Sequence, residues 1–221
     1  MSHFDAQRRG LLGASSLLVA GMAAPHWAAA ALLPTPPQTR GPFYPDHLPL
    51  DTDNDLVTMA GAGKEAEGIV THIHGQVLDL AGQPVRGVLV EIWQCDANGR
   101  YRHSGDRRGV PRDPGFQGYG KALTDGEGRY RFRTIRPVPY PGRAPHIHFA
   151  LKPPEDRGLV TQMYVAGDPH NAADRLLNSI HDPRLRARLL VPLDAHPQHA
   201  SELLGRFDIV LDADAAGSRG A

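Results

Sequence analysis

Short runs of alternating apolar and polar residues, each bounded by turn residues, mark out most of this chain. Residues 68–78, GIVTHIHGQVL, are rich in β-branched side chains and predict a strand. Residues 85–94, VRGVLVEIWQ, predict a second, with Val88, Val90 and Ile92 on one face. Residues 121–124 and 129–135, joined by Asp125-Gly126-Glu127-Gly128, predict a hairpin with Tyr130 and Phe132 inward and arginines outward. Residues 146–151, 160–165 and 206–212 supply further strands. Helical periodicity is confined to residues 171–190, where Leu176, Leu177, Ile180, Leu185, Leu189 and Leu190 recur and Pro183 divides the segment in two. Residues 102–118 are basic, rich in Gly and Pro and aperiodic, which predicts a long loop of the kind that often carries function. Seven to nine short strands and two short helices predict an all-β protein: a β-sandwich core with long loops.

The ends read differently. Residues 31–45, ALLPTPPQTRGPFYP, cannot be helical and predict an extended arm, which the polar segment 46–66 continues to about residue 67. The folded domain is then expected over residues 68–213, with a disordered Ala/Gly/Ser tail at 214–221. Residues 1–30 have the parts of an export signal: Arg8-Arg9, an uncharged run from Leu11 to Ala24, and Ala28-Ala29-Ala30 for cleavage. The paired arginines resemble a twin-arginine signal, which predicts a protein exported to the bacterial periplasm. The alternative is an uncleaved membrane anchor, against which Pro25, His26 and Trp27 interrupt the apolar run.

Composition narrows the function. The 221 residues carry 24 Lys and Arg against 24 Asp and Glu, a net charge of zero, which argues against a nucleic-acid or polyanion binder. Gly and Pro, 24 and 20 residues, exceed their average share, as a turn-rich β-protein requires. The single Cys95 excludes an intrachain disulfide and any Cys-based metal site, and predicts a buried thiol.

Two His-x-His pairs stand out among twelve histidines: His72/His74 and His146/His148. On a strand both members of such a pair face one side, about 6.6–6.8 Å apart along the backbone, and can converge on one metal ion. His72/His74 sits in an ordinary strand with no third ligand nearby and is read as structural. His146/His148 follows Pro139-Tyr140-Pro141-Gly142-Arg143-Ala144-Pro145, a rigid segment presenting a phenol and a guanidinium. No carboxylate lies in that segment, so a two-His-one-carboxylate iron site is not suggested. A phenol binds metal as phenolate and needs a strong, hard Lewis acid; ferric iron suits such a set. Tyr101, taken alone, is a hairpin-end aromatic.

Several motifs occur in a fixed order: Gly41-Pro42-Phe43-Tyr44-Pro45, Asn98-Gly99-Arg100-Tyr101-Arg102-His103, Leu123-Thr124-Asp125, Pro139-Tyr140-Pro141, Arg143-Ala144-Pro145-His146-Ile147-His148-Phe149 and Thr161-Gln162-Met163-Tyr164. Over residues 40–212 the chain resembles the intradiol ring-cleaving dioxygenases, most like the iron-bearing subunits of protocatechuate 3,4-dioxygenases. The resemblance implies a non-haem Fe(III) held by Tyr101, Tyr140, His146 and His148, with water or hydroxide as a fifth ligand. Fe(III), two phenolates and one hydroxide sum to zero charge, as a buried site requires. It further implies a small catechol substrate cleaved with O2 between its hydroxylated carbons to a muconate-type diacid. Arg143 would stabilise developing negative charge, Tyr140 would leave the metal as substrate binds, and Gln162 would line the pocket. No nucleic acid is implied and no membrane once the leader is removed; a homo-oligomer is compatible. The 140–146 loop lacks the tryptophan-bearing insertion of the protocatechuate enzymes, and the chain lacks the long helical N-terminal region of catechol-type relatives. Neither their pocket lining nor their dimer mode is therefore carried over.

Two alternatives stand beside this reading. The spacing Gly75-x-Val77-x-Asp79 … Gly82-x-Pro84-x-x-Gly87 … Val90 also occurs in transthyretin-like and carboxypeptidase-regulatory sandwich modules, which bind without catalysis. That leaves Tyr140, Arg143, His146 and His148 unexplained. A catalytically dead homologue or partner subunit is argued against by the presence of all four candidate ligands.

Overall fold

The computed structural model describes residues 32–49, 51–154 and 158–212; the leader expected at 1–30 and the tail expected at 214–221 lie outside them. Among the described residues, ten strands form two five-stranded sheets. β1 (Val70–Leu78) lies between β4 (Arg129–Ile135), antiparallel on one side, and β9 (Leu203–Arg206) and β10 (Ile209–Val210), both parallel on the other; β8 (Asp194–Ala195) pairs β9. The second sheet runs β3 (Tyr119–Leu123), β2 (Leu89–Trp93), β5 (His146–Lys152), β6 (Leu159–Val165), β7 (Leu190–Val191). After β6 come a 3-10 turn (Pro169–Ala173) and two short helices, α1 (Arg175–Asn178) and α2 (Pro183–Ala187), begun by the capping carboxylates Asp174 and Asp182. The all-β sandwich with two short helices is thus the observed fold.

Alternation explains the core. On β1 Ile73 and Val77 are buried and on β4 Tyr130 and Phe132. They meet Val90 and Ile92 of β2, Ile147, Phe149 and Leu151 of β5 and Met163 of β6 in one cluster between the sheets. Leu56 and Val57, from a segment expected to be irregular and polar, are also fully buried there. Backbone bonds fix them: Leu56 N–H donates to Arg133 O (2.7 Å), and Gln117 N–H donates to Leu56 O (3.0 Å).

Two expectations are corrected. The hairpin of 121–124 with 129–135 does not form: β3 pairs with β2 (Glu91↔Lys121) and β4 with β1 (His74↔Arg131). The turn at Asp125, whose carboxylate accepts the N–H groups of Glu127 and Arg129 (both 2.9 Å), carries the chain from one sheet to the other. Each strand needs the same alternation whether its partner is local or distant, so pattern did not select the partner. The strand expected at 206–212 is two strands, β9 and β10, separated by Phe207 and Asp208. There Phe207 N–H donates to His74 O (2.8 Å) and Gln76 N–H to Asp208 Oδ1 (2.9 Å).

The second sheet buries its outer face too. Trp93, Cys95, Tyr101, Tyr119 and Ala150 form a smaller cluster there, with Phe43, Tyr44 and Tyr140 packed against it. Residues 32–45 run along the domain, with Thr35 N–H donating to Val210 O (3.0 Å) and Gln38 N–H to Val160 O (2.8 Å). Among the described residues no helix is long and apolar enough to cross a membrane.

Gly75 marks the tightest backbone approach. A Cβ there would stand 2.0 Å from Phe207 O and 3.0 Å from the Tyr130 hydroxyl, so only glycine fits beneath the break between β9 and β10. Gly75→Ala is expected to lower the urea midpoint with the m-value unchanged, at a cost of about 1–3 kcal/mol typical of overpacking.

Candidate metal centre

The site grows on the outer face of β5. His146 and His148 alternate with the core residues Ile147 and Phe149, so both imidazoles point away from the sandwich, at 1 % and 2 % exposure. Trp93 pairs with His148 across β2 and lays its ring on the imidazole (4.8 Å, 8°). Tyr101 arrives from the β2–β3 connection. Asp96 Oδ1 accepts Asn98 N–H and Arg100 N–H (both 2.9 Å), Gly99 takes φ +75, and the chain then turns Tyr101 inward. Tyr140 and Arg143 are the outer residues of a four-residue turn, closed by Arg143 N–H donating to Tyr140 O (2.9 Å). Pro141 and Gly142 (φ +80) occupy the positions that a type II turn assigns to proline and to a left-handed residue.

These elements bring four donors together. Tyr101 Oη is 3.3 Å and Tyr140 Oη 3.5 Å from His146 Nε2, which is 3.2 Å from His148 Nε2. His146 Nδ1 donates to Ala144 O (2.6 Å), so Nε2 keeps its lone pair for the centre. Donors bound to one ion at about 2.0–2.1 Å stand about 3.0–3.5 Å apart, which these separations match. Among the described residues no three His, Cys, Asp or Glu side chains are placed to hold a metal ion, so phenols must complete any set here.

Burial sets the protonation states. Desolvation, with the nearby positive charge of Arg143, pushes His146 down to about 3. Desolvation, the neighbouring His146 and Arg143 hold His148 well below its ordinary value. Desolvation drives Tyr101 well above a normal phenol. It raises Tyr140 also, against the opposing charge of Arg143. The imidazoles are therefore neutral, as ligands must be, and the phenols ionise only against a strong cation. That donor chemistry fits a hard trivalent ion.

Arg143 brings a cation to the oxygen end of this cluster. Nε donates to Asp174 Oδ2 (3.0 Å), Nη2 to Gln162 Oε1 (2.5 Å) and Tyr164 Oη (3.1 Å), and Nη1 to Tyr140 Oη (3.4 Å). Asp174, 1 % exposed, also accepts Ala144 N–H (2.8 Å) and the Leu176 and Leu177 N–H groups that open α1. Gln162 stands opposite His148 on β6 and donates to Thr39 O (2.9 Å). The arm thus lies over the site, and a Cβ on Gly41 (φ +69) would meet His148 Cε1 at 3.4 Å.

All six residues expected at the site, Tyr101, Tyr140, Arg143, His146, His148 and Gln162, meet here. Sequence reasoning missed Asp174, Trp93 and Gln38, which accepts from Tyr164 Oη (2.9 Å). Asp174 had one legible signal, the N-cap position before Arg175-Leu176-Leu177; nothing in the sequence links it to Arg143. His72 and His74 lie on the other sheet. His72 Nε2 is 2.5 Å from Glu202 Oε2 and its ring sits beside His196. Cys95 is a buried thiol raised to about 12, chiefly by desolvation. A recess of about 510 Å³ beside His74, Gln76, Arg129 and Arg206 belongs to that far sheet; a smaller one of about 420 Å³ opens beside Phe43, Arg108, Tyr140 and Pro141.

A family model described as "Dioxygenase" matches residues 39–213. The chain is 43% identical over 168 residues to the beta chain of protocatechuate 3,4-dioxygenase from Burkholderia cepacia, covering 72% of this chain and 71% of that one. It is 35% identical over 150 residues to hydroxyquinol 1,2-dioxygenase from Corynebacterium glutamicum, covering 58% of this chain and 45% of the relative. Among solved structures, the dioxygenase domain of a dioxygenase–carbohydrate-binding fusion from Streptomyces sp. SirexAA-E superposes with a TM-score of 0.63 at 33% identity, covering 81% of this chain and 99% of that domain.

The two histidines make the metal-free protein acid-sensitive. Unfolded, each takes up a proton near pH 6.5; folded, each stays neutral far below that. In that window the unfolded chain binds more protons, so stability falls as pH drops below about 6.5, by up to about 1.4 kcal/mol per pH unit for each imidazole. Urea unfolding of the metal-free protein between about pH 7 and pH 5 is expected to show this slope, and His148→Gln a shallower one.

Proposed function

The chain belongs to the intradiol ring-cleaving dioxygenases, and from that premise we propose that it holds one non-haem Fe(III) on Tyr101, Tyr140, His146 and His148. It uses O2 to open a catechol-type ring between the two hydroxylated carbons, giving a muconate-type diacid. The observation that carries this reading is the convergence of two phenol oxygens and two imidazole Nε2 atoms at separations of 3.2–3.5 Å. Ferric iron bound there would draw electron density from a catecholate and make its ring carbons reactive toward O2, with no external reductant.

The protein's own groups have distinct parts. His146 and His148 are held neutral and, through Ala144 O and Trp93, fixed in orientation. Tyr140, the less buried phenol, can accept a catechol proton at Oη. Arg143, whose charge is held by Asp174 and whose fork is braced by Gln162 and Tyr164, stabilises the anionic ring beside it. The arm and the aromatic cluster exclude water. Family membership displaces the alternative of a non-catalytic transthyretin-like module. The Arg8-Arg9 leader supports export by the twin-arginine route, which carries proteins already folded and so already loaded with metal.

Iron-replete protein is expected to contain about one iron per chain and to be reddish-brown from phenolate-to-iron charge transfer, with oxygen uptake on a panel of catechols. Tyr140→Phe is expected to shift and weaken the visible band, and His148→Ala to abolish iron binding while the fold, followed by circular dichroism, persists. A colourless iron-loaded protein, or a Tyr140→Phe spectrum identical to the parent's, sinks the ligand assignment.

A further inference from the structure

We propose that Asp106 and Arg108 form a positioning bracket for both candidate phenol ligands, with Arg108 stabilising the electron-rich ring of Tyr140 from its face. This rests on the reading of Tyr101 and Tyr140 as ligands.

The bracket is a closed circuit of contacts. Asp106, buried at 2 % exposure, lies in the long loop after Tyr101. Its Oδ2 accepts the backbone N–H of Tyr101 (2.8 Å), and its two oxygens take the guanidinium of Arg108, with Nε donating to Oδ1 (2.8 Å) and Nη2 paired to Oδ2. A two-pronged pair of this kind fixes orientation as well as charge. Held so, the Arg108 Cζ lies 4.8 Å from the centre of the Tyr140 ring and 5.6 Å from that of Phe43, both within cation–π range. Phe43, from the arm, stacks on Tyr101 (5.0 Å, 27°), and Tyr101 meets Tyr140 edge-on (5.8 Å, 83°). One carboxylate therefore ties the backbone of one phenol to the cation that covers the other.

Two arginines act on Tyr140 from different ends. Arg143 reaches its oxygen, at 3.4 Å, whereas Arg108 sits on its ring. A cation over an aromatic face lowers the energy of the occupied ring orbitals, more so when the ring is a phenolate. Charge transfer from Tyr140 to a ferric ion then costs more energy than it would without Arg108. Arg108 is thus a positioning residue: it touches a ligand's ring and sets that ligand's donor strength.

The test uses the iron-loaded full chain with R108Q, R108K and R112Q, the last removing an exposed arginine of the same loop. Folding is followed by circular dichroism and iron by metal analysis. R108Q is expected to retain iron and to move the visible band to longer wavelength. R108K, which keeps a cation near the ring but loses the fork to Asp106, is expected to fall between the parent and R108Q, and R112Q to match the parent. An R108Q band at the parental position, an R108K band displaced as far as that of R108Q, or an equal displacement in R112Q overturns the proposal. Failure of the underlying reading is distinguishable, because the parent itself would then lack the band.

Discussion

Two imidazoles placed two residues apart on a strand, and buried there, are the constraint on which this structure depends. The strand forces both side chains to one face, and burial forbids either from being charged. Their Nε2 atoms then stand 3.2 Å apart, with the phenol oxygens of Tyr101 and Tyr140 beside them. Such a face is costly to bury unless something positive occupies its centre. The outer cluster, the turn that presents Tyr140, and the arm across Gly41 all serve to close that face.

Charge compensation links the centre to the rest of the fold. Arg143 brings a fixed positive charge beside two neutral histidines, which adds to the pressure against their protonation. Asp174 answers that charge, and the same carboxylate caps α1 and holds Ala144 at the head of β5. The short helices, marginal by themselves, are therefore part of the site's scaffold. On the opposite side Asp106 does the same for Tyr101 and Arg108. Arg143 is oriented by a carboxylate 31 residues away in the chain, whereas Tyr101 and Arg108 share one from their own loop.

Legibility followed from whether a feature was local. The β5 pair and the inward Tyr130 and Phe132 were read correctly because each depends on residues a few positions apart. The hairpin failed because period-two patterning specifies which face is buried and leaves the partner strand open. Leu56 and Val57 hid in a polar segment because a two-residue insertion into a core carries no periodicity.

By itself, the sequence determined the class of fold, the orientation of His146 and His148, and a donor set restricted to nitrogen and oxygen by the near absence of thiols. Ordered motifs then identified the family, and with it a role for Tyr101 that spacing alone did not support. Tertiary structure decided the remainder: which sheet each strand joins, the approach of Tyr101 to His146 across 45 residues, and the anchoring of Arg143 by Asp174. These contacts join residues far apart in the chain, and their geometry follows from how two sheets and an extended arm pack, a property of the whole fold that no short window of sequence encodes.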